Sequence, residues 1–118
     1  MTKHFAKWAR KQNIPDIDLA KALDEVENGN FEANLGGHVI KKRIRFQGKG
    51  KSGSGRTIIC YKQVDRAFFV HGFAKNEKSS LTSKELHGFK ELAKVLLSLS
   101  NEKLNIAIEK GNIMEVKS

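Results

Sequence analysis

Between Val39 and Lys62 the chain carries Lys41, Lys42, Arg43, Arg45, Lys49, Lys51, Arg56 and Lys62, with no Asp or Glu among them. These eight cations account for most of a formal net charge of +9. Lysines and arginines without neighbouring carboxylates have two chemistries open to them. They can bind an anionic backbone, or they can stabilise the charge that develops on a phosphate during its transfer. Arginine suits the second task because its planar fork holds two oxygens at once. A merely solvated face usually mixes signs, and this stretch does not. A nucleic-acid backbone relieves the self-repulsion of such a cluster.

Other reactive side chains are sparse. His4 is terminal, His38 precedes a strand, and His87 faces away from the apolar stripe of its helix. His71 alternates with Val70, shares a strand face with Phe69 and Phe73, and is the one histidine worth testing for proton transfer. Tyr61 could stack on a base or serve as a core or edge residue. Phe68, Phe69 and Phe73 belong to the core, and Cys60 reads as a small buried hydrophobe. With a single cysteine the chain has no internal disulfide and no cysteine-based zinc cluster. Nothing calls for a metal or a cofactor. The stretch Gly48–Gly55 places lysines at alternate positions, where they could close over a phosphate. It lacks the phosphate-loop spacing that opens a helix, because a strand follows it.

The elements that must position these residues follow from local pattern. The length of 118 residues allows one domain. At 39% hydrophobic and 30% charged, the composition supports a folded globule. Thr2 caps a short first helix with Phe5, Trp8 and Ala9 on one side, and Pro15 interrupts it. A second helix runs from about Asp16 to Asn28, with Asp16 as its cap and Gly29 as its stop. The N-terminal and C-terminal helices carry both signs and nearly cancel. A β-meander fills the middle: a strand near Phe31–Leu35, then Val39–Phe46, Thr57–Gln63 and Ala67–Phe73. In the second strand Ile40, Ile44 and Phe46 alternate with Lys41, Arg43 and Arg45, and Lys42 falls on the apolar face. Thr82-Ser83-Lys84-Glu85 is a capping box flanked by Leu81 and Leu86. It opens a helix striped by Leu86, Phe89, Ala93 and Leu96. A last helix spans about Asn101–Lys110, and Asn112–Val116 adds an edge strand. The expected fold class is α+β: about four antiparallel strands, with the N-terminal and C-terminal helices packed on one face.

With Lys49-Gly-Lys-Ser-Gly-Ser-Gly-Arg-Thr-Ile-Ile-Cys-Tyr61 and Phe68-Phe-Val-His-Gly-Phe-Ala-Lys-Asn-Glu77 in place, the chain resembles the RelE/HigB toxin superfamily. The closer likeness is to the HigB-like branch, which carries a similar glycine–lysine segment leading to an arginine and an Ala/Gly-Lys-Asn-Glu segment. The matched stretch covers about residues 35–81, with the leading helices agreeing in order. Residues from about 100 to 118 form a C-terminal extension outside it.

The resemblance implies a RelE-like fold and an mRNA interferase that acts in the ribosomal A site. It also implies a cognate antitoxin, a small helix-turn-helix protein. The basic charge, the lack of an apolar run long enough to cross a bilayer and the single cysteine point to a cytoplasmic protein with no membrane partner. By motif position Arg56 matches the family's phosphate-stabilising arginine. Lys49 and Lys51 match the basic residues before it, and Lys75 joins the basic cluster after the fourth strand. Lys41, Lys42, Arg43, Arg45, Tyr61 and Lys62 would contact RNA. Asn76 stands where the best-known RelE members have an arginine, and Thr82 where they have a tyrosine. The general acid and base therefore stay unassigned. Two other functions remain open: a non-catalytic toxin of this fold directed at a protein such as gyrase, and a plain nucleic-acid-binding module.

Overall fold

The structure is a computed structural model that describes residues 1–45, 54–74 and 81–117. Eight elements follow in order: α1 (Lys3–Lys11), α2 (Asp16–Glu27), β1 (Ala33–Gly36), β2 (Val39–Arg45), β3 (Ser54–Lys62), β4 (Arg66–Ala74), α3 (Ser83–Ser98) and α4 (Asn101–Glu109). The strands form one antiparallel meander, β1-β2-β3-β4. This is the expected α+β class, with helices before and after the sheet.

The helices do not share one face, however. Phe5, Ala9, Leu19, Ala22 and Val26 from α1 and α2 bury with Ile40, Ile44, Ile59 and Phe69. Ala93 and Leu96 of α3 bury with Val39, Ile58, Cys60, Phe68, Val70 and Phe73, and Leu104 and Ile108 of α4 pack against that second cluster. The reason is in the strands. Ile58-Ile59-Cys60 and Phe68-Phe69-Val70 are apolar at every position, and neighbouring strand side chains point to opposite sides. Both sides must therefore be covered.

Local chemistry explains most boundaries. Thr2 Oγ1 accepts from the Phe5 N–H at 3.2 Å and caps α1. Thr82 and Glu85 form the capping box at 3.1 and 2.9 Å. Asp16 is not the cap of α2. Pro15 occupies that position, and Asp16 Oδ2 instead accepts from the Lys117 N–H at 3.0 Å. Gly29, at φ +84°, stops α2 as its freedom at positive φ allows. The edge strand expected at Asn112–Val116 reduces to one bridge, between Thr2 and Ile113.

β4 also departs from a plain alternation. Ile58 pairs with His71 but Ile59 with Phe69, leaving Val70 as an extra residue. That bulge shifts the alternation by one, so His71 and Phe73 share a side while Phe69 faces the other cluster. His71 therefore does not share a face with Phe69.

Candidate nucleic-acid interface

Residues opposed across antiparallel strands point to the same side of the sheet. The register sets Arg43 opposite Arg56 and Arg56 opposite Phe73. The next row is Lys41, Ile58 and His71, and Arg45 pairs with Ser54. Lys41, Arg43, Arg45 and Arg56 thus rise from one side of two adjoining strands. Alternation puts Lys42 on the other side. There it is buried, its Nζ 3.2 Å from Glu25 Oε1 and donating to the Asn30 carbonyl at 3.0 Å. Lys42 was expected to touch RNA, but this placement turns it toward α2 and gives it a carboxylate.

Arg56 is held as well. Its Nε lies 2.9 Å from Glu32 Oε2, and Glu32 Oε1 accepts the Arg43 N–H at 2.7 Å. One carboxylate therefore joins the backbone of β2 to the guanidinium carried by β3. Arg56 Nη1 is buried with no hydrogen-bond partner among the described residues. An unsatisfied buried donor costs on the order of 1–3 kcal/mol, so this nitrogen is owed an acceptor. A cleft of about 750 Å³ opens here, lined by Asp18, Glu25, Glu32, Lys42, Arg43, Arg45 and Arg56 among others.

Glu25 and Glu32 were missed because the acid-free run was counted along the chain. A signal existed: a hairpin turning at Gly36-Gly37 must bring Glu32 beside Lys42 and Arg43. The Glu32 N–H indeed donates to the Lys41 carbonyl at 3.0 Å.

The other expected contacts do not all converge. Tyr61 and Lys62 lie at the far end of β3, roughly 17–20 Å from Arg56 at about 3.4 Å per residue. Tyr61 packs partly buried against the α1–α2 cluster; burial, then the Glu27 carboxylate, raise its phenol above the ordinary value. Lys62 pairs with Asp65 at 3.7 Å on the surface. His71 Nδ1 lies 3.2 Å from His4 Nε2, the two rings stacked, with Phe89 packed beside His71 at 5.3 Å. Cys60 is fully buried, and burial pushes its thiol up to about 12.

Lys49, Lys51, Lys75 and Asn76, together with Phe46 at the expected end of the second strand, lie outside the described residues. The described residues that border these stretches are known in register: Arg45 and Ser54 are partners, and Ala74, which precedes Lys75, pairs with Gly55 beside Arg56.

An open antiparallel sheet of four strands, covered by helices on both sides and edged with arginines, defines a small basic α+β protein. The sequence model of the RelE toxin of the RelE/RelB toxin–antitoxin system matches residues 1–116, and the chain belongs to that family. It is thus the toxin of a toxin–antitoxin system, and membership implies an antitoxin partner. The match runs through α4, past residue 100, where the motif resemblance stopped. No curated protein and no solved structure matches the chain. Among the described residues no helix is long and apolar enough to cross a membrane.

Proposed function

We propose that this toxin is a metal-independent endoribonuclease that cleaves mRNA in the A site of the ribosome. The reading is supported chiefly by one observation. Arg43 and Arg56 stand at the same end of the sheet as Arg45, Ser54 and Ala74, the residues that border the stretches carrying Lys49, Lys51 and Lys75.

RNA carries its own nucleophile. The 2′-oxygen attacks phosphorus, the 5′-oxygen leaves, and the products are a 2′,3′-cyclic phosphate and a 5′-hydroxyl. The protein must align the three atoms, move two protons and stabilise the extra charge on the phosphorane. In this reading Arg56 meets the phosphorane, and its unpartnered Nη1 gains the acceptor it lacks. Lys49, Lys51 and Lys75 supply further cationic charge for the phosphorane in this reading, and the general acid and base stay unassigned. Lys41, Arg43 and Arg45 hold the flanking message, and the cognate antitoxin is a small helix-turn-helix protein.

The test is induced expression of the wild type and of Arg56→Ala, with mapping of mRNA 5′ ends on translating ribosomes. The wild type should yield discrete new ends. Arg56→Ala should lose about a hundred- to a thousand-fold in cleavage while keeping its fold. Growth arrest without new ends would instead favour a protein target such as gyrase. Salt-sensitive RNA binding with neither arrest nor cleavage would leave only a binding module.

A further inference from the structure

A second cluster of cations without described ion-pair partners lies on α1. Lys3, Lys7, Arg10 and Lys11 of α1 are all exposed, and their spacing puts them along one face. The helix contains no acidic residue. Among the described residues none of the four has an ion-pair or side-chain hydrogen-bond partner. Lys3 also stands in the first turn, where the helix dipole disfavours a cation and an acidic residue would be the stabilising choice. The face cannot turn away, because Phe5, Ala6 and Ala9 are buried beneath it and the Trp8 ring lies against Gly72.

Direction matters too. The Thr2 N–H donates to the Phe69 carbonyl, Phe5 stacks on Phe69, and Trp8 covers Gly72. α1 therefore runs alongside β4 toward Ala74, the strand end nearest Arg56. The four cations span about 12 Å at 1.5 Å per residue.

We propose that this face of α1 docks on the phosphate backbone of double-helical RNA, outside the segment that meets the scissile phosphate. The inference rests on the reading of the chain as an RNA-directed toxin. Double-helical RNA is favoured over a single strand because the face presents no free aromatic platform. Phe5 is buried, Trp8 is turned against Gly72, and the His4 ring is stacked on His71. Single-strand binding draws on base stacking, whereas a duplex offers shape and backbone charge to lysines and arginines.

The test uses the full chain with a short RNA duplex and with a single strand of the same length, titrated across salt concentrations. The variant is Lys3→Gln/Lys7→Gln/Arg10→Gln/Lys11→Gln, checked for folding by thermal unfolding. The duplex slope of log affinity against log salt should fall by about 2 to 4, near 0.9 per lost phosphate contact, with at least about tenfold weaker binding. The single-strand slope should fall by less than about 1. Should the fourfold variant fail to fold, Lys7→Gln and Lys11→Gln alone should each lower the duplex slope by about 1. An unchanged duplex slope overturns the proposal. So does an equal loss on both RNAs, or a loss of antitoxin affinity with RNA binding intact. Failure of the wild type to cleave on ribosomes would defeat the nuclease reading without touching this measurement.

Discussion

Two cationic regions of this toxin behave differently in the fold. On β2 and β3, Lys42 is answered by Glu25 and Arg56 by Glu32. On α1, Lys3, Lys7, Arg10 and Lys11 stand in solvent without described partners. A paired cation is oriented but partly spent, since a phosphate must compete with the carboxylate already bound. An unpaired cation is free to exchange counterions for phosphates, and that exchange drives salt-dependent affinity. The strand region is thus suited to holding a guanidinium in place, and the helix to adding attraction.

The largest effect should come from removing the platform on which the helix face depends. A Cβ on Gly72 would lie 2.3 Å from Trp8 Cε3, with two more ring atoms within 2.6 Å. Neither a strand backbone nor a packed indole can yield that much without moving α1. Gly72→Ala should therefore cost about 3 kcal/mol, the upper end of what overpacking usually costs. It should also weaken duplex-RNA binding at low salt. Denaturant unfolding beside the binding titration checks both; full stability in Gly72→Ala would mean that α1 is not clamped as described.

Much of this architecture was legible in the sequence, and the failures have physical causes. The capping box at Thr82–Glu85 and the alternation of β2 are local signals, and both stand. The bulge in β4 depends on which β3 residue each β4 residue meets, and no pattern within β4 encodes that. One-sided packing was expected because the apolar triplets were not weighed as strands buried on both sides. Along the chain the four cations of α1 and the one lysine of α2 are cancelled by the five carboxylates of α2. In space they separate, and the α2 carboxylate Glu25 goes to Lys42. The candidate site was half legible: Arg56 could be placed by motif, but Glu32 required the hairpin to be closed first.

Glu32 allows the next, smaller test. A double-mutant cycle with Glu32→Gln and Arg56→Lys should give a coupling of about 1–2 kcal/mol, because both groups are mostly shielded and share a rigid strand framework. The exposed Lys94–Glu91 pair at 3.2 Å is the control, and should give about 0.3 kcal/mol. Equal couplings would mean that Glu32 holds Arg56 no more firmly than any surface carboxylate would. The contrast between the two regions would then narrow to a count of charges.

The smallest expected effect is the sharpest check on that contrast. Lys42 belongs to the acid-free run, yet it is only 5% exposed and already occupied by Glu25 and Asn30. Lys42→Met keeps the length of the side chain and removes its charge. Glu25 keeps access to water, so no buried charge is stranded, and stability should change by less than about 1 kcal/mol. RNA affinity and its salt slope should barely move, because a cation bound to a carboxylate behind the sheet releases no counterion to a phosphate. Lys7→Gln removes the same formal charge from α1 and should lower the duplex slope by about 1. If the two substitutions lowered the slope equally, net charge alone would govern binding, and the arrangement of ion pairs would carry no information about where RNA sits.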